Sequence, residues 1–405
     1  MPRRLARLAA VLMLGAALPV SAQTGAETGL SPRQLMIRLT NPATIATGVS
    51  NIGEVIADLV GLEVSTAPLG SSAGGFTFTF DPVTRAFSRA APSFGPMFAE
   101  RAVTAGEGRA NVGINVIRTT YDTLDGISLS GGSLRTLTLN AGSMELFTTE
   151  ARLKVTTDTM VMFANVALNN RIDLGVAVPY IRLQMEGGHR IINTATGQAE
   201  EESTGAAGHD GIGDIAIRGK LRLVPGDQGG LSLGVDARLP TGDKEALLGA
   251  GVTRTLVSAI WSGTFGRVAP NAQFGYEFWS DPFQAYAPLL RSTIDAGRHA
   301  TVYTAGVEWA ASDRLTVNGE IVGRNIDNGA QLTTQQLPFR GNPFGITHAD
   351  VATVTPAGLR QLSGAVGAKW NFAGSALVSA TLLVPLNDRG LRDELTPLIG
   401  FDWGF

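Results

Sequence analysis

Charged residues in this 405-residue chain recur at every second position, and that spacing is its first chemical signal. Arg218, Lys220 and Arg222 alternate with Ile217, Leu221 and Leu223. Asp236 and Arg238 alternate with Leu233, Val235 and Ala237. Glu150, Arg152 and Lys154 interleave with Ala151, Leu153 and Val155, and Arg171 and Asp173 interleave with Ile172 and Leu174. Glu277 lies between Tyr276 and Phe278, Glu308 between Val307 and Trp309, Glu320 beside Ile321, and Lys369 between Ala368 and Trp370. A period of two puts neighbouring side chains on opposite faces of a strand. A dry core could not hold so many charges unpaired. The charged face therefore reads as the lining of a lumen, a water-lined passage whose wall charges bias what passes. The plainer alternative is a salt-bridge lattice that only fills the lumen and stiffens its wall. The basic run at 218–222 would favour solutes with an anionic end.

Other chemistries find little support. The four histidines are His189, His209, His299 and His348, and none is placed to pair with a serine; a G-x-S-x-G motif is absent. There is no cysteine and no His-x-x-x-His pair to hold zinc. Pro240 to Ala246, PTGDKEA, lacks the spacing of a phosphate loop. Glu200, Glu201, Glu202, Asp210 and Asp214 lie in or beside one expected loop, where they read as a solvated acidic run or as calcium ligands bridging to lipopolysaccharide. No enzyme activity and no cofactor is expected.

The ends of the chain say which elements carry these residues. Arg3, Arg4 and Arg7 precede an apolar run from Leu8 to Val20, and Val20-Ser21-Ala22 has the small residues of a cleavage site. That is a secretory signal, residues 1–22, too short for a spanning helix. Without it the chain keeps 29 basic and 35 acidic residues, a net −6, so no nucleic-acid partner is expected. At the other end Leu395, Ile399, Phe401, Trp403 and Phe405 alternate with Gly400, Asp402 and Gly404. A strand that is apolar and aromatic to its last residue suits a lipid-facing wall with an aromatic girdle.

The connections alternate as well. Counting back from Phe405, short links at 372–375, 311–313, 267–270, 225–229 and 168–170 separate longer ones at 387–394, 325–360, 280–298, 241–252 and 187–210. Transmembrane barrels have short periplasmic turns and longer extracellular loops, with both termini in the periplasm. The fold class is therefore all-β, a transmembrane antiparallel β-barrel spanning 75–405. Ten strands fall between 171 and 405 and three more near 109–121, 132–140 and 146–167. Barrels of this type have even strand numbers, so GGFTFTF (75–81) would supply a fourteenth of about 14, with 12 the alternative if 75–81 stays outside or two early segments merge. Residues 23–74 differ. Ser31, Pro32 and Gln34 form a capping-box start, and Asn51 with Glu54 forms a second, followed by helical spacing of Ile52, Val55, Ile56, Leu59 and Val60. This short, partly helical segment is either a periplasmic extension or a plug.

Two stretches also resemble a known family. GIGDIAIRGKLRLV (211–224) and GGLSLGVDARLPTGDKE (229–245) are similar to the core of the outer-membrane proteins named for the MetA pathway of phenol degradation, which group loosely with FadL-type channels. RIDLGVAVPYIRL (171–183) and SFGPMFAERAVTAGEGRANVGINV (93–116) fit the same pattern. The resemblance implies a passive outer-membrane channel for small hydrophobic or aromatic solutes, and it carries over no ligand-binding residue. Gly400, Trp403 and Phe405 resemble the C-terminal signal read by the barrel-assembly machinery. The expected partners are that machinery, outer-membrane lipid and lipopolysaccharide, and the solutes themselves. The runner-up is a structural or adhesive barrel that transports nothing.

Overall fold

The computed structural model describes residues 29–40, 52–66, 70–71, 75, 78–81, 86–89, 91–139, 146–194, 197–226, 229–281, 283–287, 292–296, 299–327, 329–338 and 348–405. The signal-like segment 1–22 and the second helix start at Asn51 lie outside them.

Twelve strands close into one antiparallel ring. In chain order they are β1 (Ala110–Tyr121), β2 (Leu146–Ala167), β3 (Ile172–Asn193), β4 (Ala216–Gly226), β5 (Gly229–Arg238) and β6 (Arg254–Gly263). Then follow β7 (Val268–Trp279), β8 (His299–Ser312), β9 (Leu315–Ile326), β10 (Leu359–Asn371), β11 (Ala376–Pro385) and β12 (Thr396–Gly404). Each pairs with its sequence neighbours, and β12 closes on β1 with Leu398 opposite Ile117 and Gly404 opposite Asn111. All ten strands expected from residue 171 onward are in the wall.

The twelve-strand alternative, with 75–81 outside the wall, is the observed one. Phe78–Asp81 pairs with Ala86–Arg89 in a separate two-stranded sheet. Leu134–Leu139, within the expected 132–140 strand, meets only the first residues of β2. The reason is edge occupancy: β1 takes the same edge of β2 from Val155 to Val166, leaving only its upper part free. The expected link at 267–270 is shifted, because Val268 to Pro270 already pair with β8. The alternation of short and long links holds throughout.

The loop expected at 187–210 is largely sheet. β2 and β3 each run 22 residues and pair from Phe147/Asn193 down to Ala167/Asp173. Above the ring their outer edges are taken by Leu134–Leu139 and Ala199–Ile212, making a raised four-stranded sheet. Ala199–Ile212 has the Glu-, Ser- and Gly-rich composition of a loop, but it finds β3's free backbone groups and zips onto them.

The wall is polar inside and greasy outside. Val366 is 67% exposed, Phe274 63% and Ile399 62%, all on the outer face, whereas inward Glu308 is 1% exposed and Lys220 4%. In water that distribution would be unfavourable by roughly 25 cal/mol for each Å² of apolar surface left wet. In a bilayer it is the arrangement that a spanning barrel needs. Aromatic side chains cluster near the short turns and the C-terminus, where Trp370, Phe372 and Phe401 neighbour one another and Trp403 meets Phe405 at 5.9 Å. Tyr276 stacks on His299 near the long-loop side. Two such belts mark the two interfaces. Gly400 is required by close approach, since a Cβ there would lie 2.4 Å from both Asn115 Oδ1 and Ser379 Oγ.

Two helices precede the wall: α1 (Pro32–Thr40) and α2 (Ile52–Val64). The capping box at α1 is formed, with Gln34 N donating to Ser31 Oγ at 3.2 Å and Ser31 N donating to Gln34 Oε1 at 3.1 Å. Leu35, Met36 and Leu39 of α1 and Val55, Ile56 and Val60 of α2 join one apolar cluster with Leu153, Val155, Leu183 and Met185 of the raised sheet.

Candidate functional site

Inside the ring, the inward charges converge on the chain's own residues 93–105. Glu320 of β9 accepts the backbone N–H of Met97, Phe98 and Ala99, the latter two at 2.9 Å. Lys369 Nζ of β10 donates to Pro96 O at 2.7 Å. Arg101 forms a fork with Glu308 of β8, its Nε donating to Oε1 at 3.1 Å and Nη2 reaching Oε2, while Asn271 donates to the same carboxylate at 3.2 Å. Ser232 of β5 and Ser262 of β6 bind the carbonyl and the N–H of Ala102. Ala105 N donates to Asp173 of β3 at 3.2 Å, and Asp173 pairs with Lys220 of β4 at 3.3 Å. Glu100 lies 3.7 Å from Arg218 and 3.8 Å from Lys220. Strands β3 to β6 and β8 to β10 thus each hold the segment directly. A three-fold carboxylate clasp on consecutive N–H groups and a bidentate Arg–carboxylate fork are among the strongest neutral-pH contacts available. What remains beside Arg101, Glu308 and Arg222 is a cavity of about 20 Å³, room for about one water.

A second cluster lies at the long-loop end. Arg238 Nη1 donates to Ser65 O at 2.8 Å, Arg254 Nη2 to Ser65 O at 3.1 Å, and Arg254 and Arg324 both donate to Thr66 Oγ1. Three cations thus meet the C-terminal end of α2, where unpaired carbonyls carry partial negative charge. Glu277 balances them: it takes Arg324 Nη2 and Trp279 Nε1, both at 2.6 Å. Arg254 also lies 3.6 Å from Asp214.

Of the residues that the sequence marks as lumen-lining, Asp173, Lys220, Glu277, Glu308, Glu320 and Lys369 are buried on the inner face. Arg218, Asp236 and Arg238 join them, Arg218 Nε binding Asp236 at 2.8 Å. Arg222 borders the small cavity, and Arg171 stands exposed in the turn before β3. Arg152 and Lys154 are placed differently. They are exposed on the outer face of the raised sheet, because there the inner face is apolar and packs on α1 through Ala151, Leu153 and Val155. The sequence reading missed Glu100, Arg101, Arg254, Arg324 and Asp214 as lumen groups. The one available signal was Glu100-Arg101, an adjacent ion pair in a run of small and apolar residues.

The acidic run does not converge. Asp214 is buried and accepts Gly242 N and Ala250 N, whereas Asp210 takes the Tyr180 hydroxyl on the outer surface. Among the described residues no three acidic or histidine side chains form a metal-holding group.

No family model matches the chain, and no curated relative matches it. Among solved structures, the COG4313 outer membrane channel from Pseudomonas putida F1 superposes with a TM-score of 0.46 at 12% identity, covering 75% of this chain and 98% of that one. The NanC porin gives 0.37 at 8% identity over 71% of this chain and 98% of that one. The Ralstonia pickettii toluene transporter TbuX gives 0.35 at 11% over 74% of this chain and 90% of that one. These likenesses are loose.

Proposed function

We propose that this protein is a passive outer-membrane channel for small hydrophobic or aromatic compounds, closed in the described state by its own N-terminal part. In this reading residues 1–22 are removed on export, the two helices and residues 93–105 form the stopper, and the wall runs from β1 to Phe405. The observation that carries it is how many lumen groups end on a separate stretch of backbone. A barrel filled only for rigidity needs nothing beyond pairs across its own wall, such as Arg218–Asp236 and Glu277–Arg324. Here Glu308, Glu320 and Lys369 bond the segment directly as well, an arrangement that holds a movable piece in one place. The sequence resemblance to the MetA-pathway outer-membrane proteins supports the solute class.

The same contacts account for the anion bias expected at 218–222. Arg218 and Lys220 pair with the wall carboxylates Asp236 and Asp173, and Glu100 of the segment adds a third acid beside them. Withdrawal of Glu100 removes one of these three negative charges, which makes the passage less repulsive to aromatic carboxylates. In this reading the driving force is the concentration gradient. Gly400, Trp403 and Phe405 serve assembly in this account, and outer-leaflet lipid and lipopolysaccharide surround the wall.

The test is conductance of the refolded 23–405 chain in a planar bilayer, with and without aromatic acids. Brief openings that such acids partly block support the channel. A folded, heat-modifiable barrel that never opens, even in variants lacking the Glu308 and Glu320 carboxylates, supports the structural or adhesive alternative.

A further inference from the structure

The outer surface of the raised sheet carries a feature that the channel does not use. Row by row along β2 and β3, the outward face changes from Met162/Val178 and Met160/Tyr180 to Asp158/Arg182, with Arg118 of β1 beside Asp158 at 3.6 Å. That row marks the upper border of the apolar belt. Beyond it the backbone continues upward and exposes Lys154, Glu186, Arg152 and Glu202 on the same lipid-side face, with Arg190 half-buried among them. These side chains rim a furrow of about 250 Å³. Its floor is bare backbone, because Gly188 stands between Arg152 on β2 and Thr204 on the Ala199–Ile212 strand.

Lys154 is the register partner of Glu186, and Arg190 of Glu202, yet neither pair closes to an ion pair. Glu150 on the same rim is taken by Arg135 at 2.7 Å, and Arg190 Nε is buried with no hydrogen-bond acceptor. At a rise of about 3.3 Å per residue and a tilt of about 40°, Lys154 and Arg190 stand roughly 10 and 20 Å above the Asp158–Arg182 row. That is above an ordinary headgroup layer of about 5–8 Å per side, at the height that a larger, sugar-bearing headgroup occupies, on the side where lipid stands.

We propose that this furrow binds the phosphorylated sugar headgroup of an outer-leaflet glycolipid. Arg152, Lys154 and Arg190 supply cationic donors to phosphate, with Arg190 Nε gaining its missing acceptor. Glu186 and Glu202 accept from sugar hydroxyls, and the glycine floor lets a sugar ring lie flat on the backbone. The proposal rests on the outer-membrane placement above but not on transport, and its test reads the furrow alone.

The test is binding of lipid A carrying both phosphates to the refolded protein in detergent, followed by native mass spectrometry in the presence of EDTA. Wild-type protein should retain the glycolipid at least about tenfold more tightly than an Arg152→Ala/Lys154→Ala/Arg190→Ala variant. Filling the furrow with Thr204→Trp should weaken retention while all three cations remain. Dephosphorylated lipid A should bind wild-type protein no better than the triple variant binds the intact lipid. Equal retention by wild type and triple variant, or indifference to the phosphates, overturns the proposal. Both variants should leave bilayer conductance unchanged, so a silent channel and an empty furrow are separate failures.

Discussion

The lower and upper halves of β2 and β3 are one pair of strands with opposite polarity. Below the Asp158–Arg182 row, Met160, Met162, Val176 and Val178 face outward, and Asp173, Asn165 and Thr159 face in. Above it, Leu153, Val155, Leu183 and Met185 face in, and Arg152, Lys154, Glu186 and Arg190 face out. The period of two never breaks between the halves. What changes is the surroundings: apolar lipid outside and a hydrogen-bonding segment inside below, polar headgroups and water outside and an amphipathic helix inside above. Alternation therefore defines two faces, and the solvent on each side decides which of them is charged.

That contrast can be broken most severely in the lower half. Glu308→Ala leaves Arg101 buried without its carboxylate, and removing one member of a buried pair costs about 3–5 kcal/mol. Urea titration of the vesicle-inserted barrel should show that loss. Leu153→Ala acts on the upper half and should cost about 2–5 kcal/mol locally by leaving a cavity against α1. Hydrogen exchange should rise in 146–155 and 183–193 while the ring below stays protected. A cation placed on each outer face compares the two solvents directly. Val366→Arg, in the apolar belt, should destabilise the inserted protein by about 2–4 kcal/mol, whereas Gln184→Arg, above the border, should shift it by about 0–1 kcal/mol.

The smallest effect concerns the loops over the mouth. Asp125 Oδ2 accepts Leu332 N at 2.7 Å and its Oδ1 accepts Gly390 N at 2.8 Å, tying three loops together. Burial pushes the Asp125 carboxyl above its usual range, against the pull of those two hydrogen bonds. A raised acid pKa means that the closed state binds the proton more tightly. The loops should therefore be most stable in acid, losing that increment as the pH rises through the folded value. Asp125 has φ +52°, a conformation that asparagine tolerates. Asp125→Asn keeps only one of the two acceptor oxygens, so it should loosen the loops slightly at all pH values and flatten the pH dependence of loop proteolysis between mild acid and neutrality.

Much of this architecture was legible from residue order. Alternation located the ten strands after residue 171, and the short and long links fall alternately between them. The capping box at Ser31 marked the first helix to the residue. What was hidden depends on contacts between distant segments. Ala199–Ile212 reads as a loop by composition and is a strand only because β3 has a free edge. Arg152 and Lys154 read as lumen residues because charge alone was used to assign the inner face. Residues 93–105 have no helical or strand period at all, so their place among Glu320, Glu308 and Lys369 follows only from the closed ring around them.

The account's central claim is that the lumen charges hold 93–105 as a removable stopper. It is tested most directly by the single-channel conductance of an Arg101→Ala/Glu320→Gln variant, which loses both the fork with Glu308 and the carboxylate over Met97 to Ala99. The account predicts a folded, heat-modifiable barrel with long-lived openings that aromatic acids partly block, against a wild type that is mostly shut. A variant that folds and inserts like wild type yet stays equally silent would contradict it, and would leave a barrel filled for structure.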